Sequence, residues 1–165
     1  MDNFHKIIGR LLAVTIFVLL FSIHSSGIMA PATPAVSSHW TFIDKGLTGN
    51  LYGDGTSIQA FKRQGIIYWG VMVKNDFTDA KYLRKIQDFT QQKSLTGSMS
   101  FYLFQPGNKV FSVTNIFYIN NKDEVLLQTT PEANIGSVLE DQDAKKILLY
   151  VIEVYKKQNK KSTPN

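Results

Sequence analysis

The chain has 165 residues, a formal net charge of +5 and no cysteine. That length fits one domain with a leader, the 12% aromatic content argues against a disordered chain, and the lack of cysteine excludes disulfide staples, thiolate metal sites and a cysteine nucleophile. The charge excess is too small to argue for nucleic acid.

Lys6 and Arg10 precede Leu11 to Ile23 (LLAVTIFVLLFSI), a run without a charge, and His24-Ser25-Ser26-Gly27 breaks it. This is the order of a secretory signal. The run is shorter than the ~20 residues a bilayer span needs. We read 1–32 as a signal peptide cut after Ala32, with a cut after Ala35 as the second choice; an uncleaved anchor is the rival reading. A cut after Ala30 would put Pro31, whose ring is rigid and lacks an N–H, next to the scissile bond. The cleaved product has no stable membrane span and is expected in the periplasm, at the cell surface or secreted. Cleavage removes Asp2, Lys6 and Arg10, leaving a charge near +4.

Residues 33–38 read as an extended proline- and serine-rich lead. The domain is expected over 39–158, followed by a polar tail, 159–165. Trp40 to Ile43 reads as a first strand, Lys45 to Asn50 as a turn, and Leu51-Tyr52 and Ser57 to Lys62 as short strands around Gly53-Asp54-Gly55. Ile66 to Lys74 alternates with both faces apolar, the mark of a central strand. From Asp76 to Lys93 the spacing of Tyr82, Leu83, Ile86 and Phe89 favours a helix over a strand, capped by Asp76 or Thr78. Ser94 to Gly97 reads as a break. Ser98 to Gln105 and Lys109 to Asn120 form a hairpin through Pro106-Gly107-Asn108, with Phe111, Val113, Phe117 and Ile119 expected on one face. Glu124 to Thr130 returns as another strand, and Pro131 is expected to end the sheet. Ala144, Ile147, Leu148, Val151 and Tyr155 form the apolar stripe of a last helix, capped by Asp141 or Asp143 and running to about Lys157. The fold class is α+β: an antiparallel sheet of five to six strands packed against a C-terminal helix, with a middle helix.

Little here carries chemistry. His39 is the one histidine after the leader, which leaves a Ser-His-Asp or histidine–metal site short of members. Glycines 46, 49, 53 and 55 lack the following Gly-Lys-Ser/Thr of a phosphate loop. Asp54 lacks the alternating acidic neighbours of a calcium loop. Glu140, Asp141 and Asp143 precede a helix, where negative charge is favourable without catalysis. No cofactor is expected. The basic residues offer more: Lys62, Arg63, Lys81, Arg84 and Lys85 suit anionic partners. Tyr68, Tyr102 and Tyr118 are expected on the second face of the sheet, either as a contact patch or packed under the middle helix.

Several pieces in order (HWTFID, GNLYGDGTSI, FYINNKDEVLL, then Ile135-Gly136-Ser137 before ILLYVIEVY) resemble the surface-adhesin protein E-like family of small exported bacterial proteins. The cysteine pair often found in that family is missing, and Gly53 disturbs its Tyr–Asp spacing. The resemblance implies an antiparallel sheet on a helix, homodimerisation and adhesion to host matrix proteins.

The expected function is an exported non-catalytic binding domain, adhesin-like and surface-associated, with a protein or anionic glycan as partner. The alternative is a periplasmic or envelope accessory protein holding a small apolar ligand in the sheet–helix layer. A hydrolase using Asp54 and Glu140 would need both in one cleft. Mass spectrometry of the exported protein should find its N-terminus at Thr33 or Val36; a chain beginning at Met1 would contradict the signal reading.

Overall fold

The structure, a computed structural model, describes residues 39–131 and 135–160, the Lys160 side chain aside. The signal segment and lead (1–38) and the end of the polar tail (161–165) lie outside the described residues. Eight described strands form one antiparallel sheet: β1 (Trp40–Lys45), β2 (Gly49–Asp54), β3 (Gln59–Arg63), β4 (Ile66–Phe77), β5 (Leu95–Gln105), β6 (Val110–Asn120), β7 (Val125–Thr129) and β8 (Ile135–Ser137). The order is β1-β2-β4-β5-β6-β7, with β3 beside β4 and β8 beside β6. Helix α1 (Ala80–Thr90) links β4 to β5, and α2 (Gln142–Lys160) ends the described chain. The fold is α+β, with the sheet packed against the C-terminal helix.

β4 is the spine. Its alternation sends Trp69, Val71 and Val73 to one face, and Tyr68 and Met72 to the other. On the first face α2 lays down Ala144, Ile147 and Val151 at i, i+3 and i+7, all 0% exposed, against Leu51, Val71, Val73 and Phe104. Tyr155 extends this contact onto Trp69, with ring centroids 5.1 Å apart. Tyr150 donates its hydroxyl to the Gly53 carbonyl at 3.0 Å. Gly53 has to be glycine there, because a Cβ would overlap the Tyr150 ring.

The opposite face buries Met72, Met99, Phe101, Leu103, Phe117 and Ile119, with Trp40, Phe61 and Tyr68 at its margin. Neither described helix contributes to this cluster. Register shifts in β1/β2, β5/β6 and β6/β7 strengthen the local twist. On this face Lys74 of β4 reaches past β5 to Asp123 in the β6–β7 turn, 2.9 Å away.

Five expectations are corrected. Phe111, Val113, Phe117 and Ile119 do not share a face. Ser100 opposes Ile116 and Tyr102 opposes Val113, so β6 carries an extra residue around Thr114-Asn115. That bulge flips the parity: Phe111 packs under α2, and Phe117 and Ile119 go to the far face. Its cost is visible, since Thr114 Oγ1 is buried without a hydrogen-bond partner among the described residues. The chain does not leave the sheet at Pro131, because Ile135 and Gly136 pair with Ser112 and Phe111; the Phe111 ring takes the space a Cβ on Gly136 would fill. Ser94 to Gly97 is not a break, since β5 starts at Leu95 and passes through a register shift before Gly97. The middle helix is capped by Asp79, not Asp76 or Thr78, its side chain accepting from the Tyr82 N–H at 2.7 Å. The last helix runs on to Lys160, so the tail begins later than Asn159.

Truncating the centre of the helix–sheet contact should be costly. Ile147→Ala is expected to lower the unfolding free energy by about 2–5 kcal/mol with an unchanged slope in urea denaturation. A loss below about 1 kcal/mol would contradict this packing.

Candidate binding surfaces

The eight residues singled out from the sequence fall into three places. Lys62, Arg63 and Tyr68 belong to the β3–β4 hairpin. Gln64 (φ 49) and Gly65 (φ 82) both take the left-handed conformation, the two-residue turn whose twist matches its flanking strands. Phe61 pairs with Tyr68, Lys62 with Ile67 and Arg63 with Ile66. The Phe61 and Tyr68 rings stack at 5.4 Å and 8°. Beyond the last β4–β5 pair, Trp69 with Phe104, the hairpin continues as a ribbon. There Lys62 and Arg63 are exposed, with Ile66 38% and Ile67 55% exposed.

Lys81, Arg84 and Lys85 stand exposed on α1. Tyr82 meets Phe77 edge-on at 5.1 Å, and Gln87 ties the far end by donating to the carbonyls of Lys93 (3.0 Å) and Leu95 (2.8 Å). None of the eleven α1 residues is buried. Among the described residues Lys81, Arg84 and Lys85 make no ion pair, the four pairs present being Lys74–Asp76, Lys74–Asp123, Lys146–Asp44 and Lys157–Glu153.

The tyrosine patch does not form. Tyr68 lies on the face away from α2, and Tyr102 stacks between Phe104 (6.0 Å) and Phe111 (5.9 Å) on the α2 side. Burial, with Asp141, Asp143 and Tyr82 adding in the same direction, pushes the Tyr102 phenol well above its ordinary range. Tyr118, opposite Ser98 on β5, is likewise raised by burial. Nor do the cations form one patch. The hairpin turn precedes Ile66 and α1 follows Phe77, so the two groups sit at opposite ends of β4, about 36 Å apart at ~3.3 Å per residue.

The acidic group is structural. Asp141 caps α2 by accepting from the Ala144 N–H at 2.8 Å. Asp143 instead accepts from the Leu47 N–H at 3.0 and 3.2 Å, clamping the β1–β2 turn, a tether that spacing alone does not reveal. Asp54 accepts from the N–H and hydroxyl of Thr56 (2.8 and 2.6 Å) and holds a one-turn 3-10 helix, Gly55–Ser57. An open groove of about 390 Å³ runs between β1 and α2, with Thr41, Phe42, Leu149 and Tyr150 in its wall. Its cations are already engaged, Lys146 with Asp44 (3.1 Å) and Lys157 with Glu153 (2.6 Å). The layer under α2 is filled by side chains 0–5% exposed, and that tight packing counts against a small apolar ligand in it. Among the described residues no group of three or more His, Asp or Glu could hold a metal, and no described helix is long and apolar enough to cross a membrane.

The least exposed ion pair among the described residues is Lys74, 14% exposed, with Asp123 at 20%. Burial alone would lower its pKa. The hydrogen bond to Asp123 and the charges of Asp76 and Asp123 outweigh that and hold it above the ordinary lysine value. Its ammonium also sits 5.7 Å from the centre of the Tyr52 ring.

No protein-family model, no curated protein and no solved structure matches this chain.

Lys74 and the tyrosines 82, 102, 118 and 150 all hold their protons more tightly folded than unfolded. Their contribution is therefore complete below about pH 10, where both states are protonated, and is lost as pH rises through the folded values. The urea midpoint should stay level from pH 7 to about 9 and fall above 10, with Tyr102→Phe making the fall shallower. A double-mutant cycle on Lys74→Met and Asp123→Asn should give about 1–3 kcal/mol of coupling.

Proposed function

We propose that the chain is an exported, non-catalytic binding domain, adhesin-like and surface-associated, that meets an acidic protein or an anionic glycan through the tip of the β3–β4 hairpin. The observation that carries this reading is the tip itself. Two adjacent cations, Lys62 and Arg63, project beside two exposed isoleucines, and the stacked Phe61 and Tyr68 stiffen the base of the ribbon. Cations beside exposed apolar side chains give an anionic partner both steering and contact area. The tip extends beyond β5, where a partner reaches it from several sides.

The signal-like order of residues 6–27 supports delivery outside the cytoplasm. The order of a Trp-bearing first strand, a glycine turn and a last helix supports kinship with the surface-adhesin protein E-like family, which we propose on that likeness.

The exported protein should bind matrix proteins or sulfated glycans in a pull-down that weakens between low and high salt. Lys62→Glu with Arg63→Glu should reduce that binding by roughly tenfold or more while leaving the thermal midpoint within a few degrees. Unchanged binding by the double variant would move the contact elsewhere. Turnover of a substrate with no such binding would overturn the reading.

A further inference from the structure

At the other end of β4, α1 and the β1–β2 turn together carry a second exposed surface of a different kind. Lys81, Lys85 and Phe89 follow each other at i, i+4 and i+8, one stripe along the helix, about 12 Å long at ~1.5 Å per residue. Arg84 stands beside it. Phe89 is 80% exposed, and Leu47, in the turn that Asp143 clamps, is 87% exposed. Leu47 shares a shallow cavity of about 310 Å³ with Thr48, Asp79, Lys81, Tyr82 and Lys85. The stripe thus has a protruding apolar side chain at each end and two ammonium groups between. Asp79, exposed at the start of the helix and accepting from the Tyr82 N–H at 2.7 Å, and Asp88, exposed on the helix, are the two carboxylates set against Lys81, Arg84 and Lys85.

We infer that this surface docks the domain peripherally on an anionic lipid bilayer, Leu47 and Phe89 entering the interface and Lys81, Arg84 and Lys85 meeting lipid phosphates. Isolated apolar side chains that stand almost fully clear of the protein suit a yielding phase, where each finds its own hole. A folded partner would have to supply a matched pocket for each. Basic residues level with them add attraction to an anionic leaflet. The cavity beside Lys81 and Lys85 gives one headgroup phosphate two ammonium donors. Docked this way, the domain holds the β3–β4 tip about 36 Å from the bilayer end of β4, so lipid contact and partner contact do not compete.

The test is co-sedimentation of the exported, processed protein with vesicles of pure phosphatidylcholine and with vesicles in which about a quarter is phosphatidylglycerol, at low and high salt. Binding should require the anionic lipid and weaken with salt. Lys81→Glu with Lys85→Glu should lower it by roughly a hundredfold or more, and the milder Lys81→Ala with Lys85→Ala by about fivefold per cation, about twenty-fivefold together. Leu47→Ser with Phe89→Ser should lower vesicle binding by about tenfold and leave binding to soluble heparin unchanged. Lys62→Glu with Arg63→Glu, the hairpin variant, should bind vesicles as the natural chain does. Vesicle binding that ignores lipid charge, survives the α1 substitutions, or falls only with the hairpin variant would overturn the inference. Loss of heparin binding alone would make α1 a polyanion site and overturn it as well.

Discussion

Burial of β4 on both faces is the constraint on which the rest of the molecule depends. Val71 and Val73 are held under α2, and Met72 lies in the far cluster, so this strand cannot slip by one residue without turning both cores inside out. A slip would also displace everything registered on it: β2 over 73–77, β3 over 66–70 and β5 over 69–76. β4 fixes the spacing of the proposed binding surfaces in the same way. Its first residues form the hairpin tip, and its last lead through Thr78 and Asp79 into α1.

The far face needs more than apolar side chains. A flat sheet would leave that cluster as an open surface, and the bulge in β6 is one device that bends it. The bulge serves two cores at once, giving Phe111 to the α2 side and Phe117 and Ile119 to the other. The buried Thr114 hydroxyl is a local cost of that switch. Lys74 secures the same face at one end. A lysine bridging Asp76 and Asp123 couples β4 to the β6–β7 turn without a direct ladder between them.

Much of this was legible in the residues. The α2 stripe, the alternation of β4 and the β5–β6 hairpin are repeating patterns, and patterns of period 3.6 or 2 report which side of an element is buried. What escaped reading is non-periodic. A bulge changes parity without any change of composition, so Phe111 and Phe117 look like neighbours on paper. β8 has three residues, too few to show alternation. Asp143 reaches Leu47 across 96 positions of sequence. The basic residues were found as types, but their division between two ends of one strand is a property of the sheet. Leu47 and Phe89 gave no signal as surface residues, because an apolar side chain at helical or turn spacing ordinarily points inward.

β4 is the spacer between the two ends for which binding is proposed. With no cysteine to remove, nitroxide labels at Gln64→Cys and Lys81→Cys report that spacing directly by pulsed electron resonance. One narrow distribution centred at about 36 Å or above is expected, from ~3.3 Å per residue along Ile66–Phe77. A distribution centred below about 25 Å, or one spread broadly over that range, would contradict it.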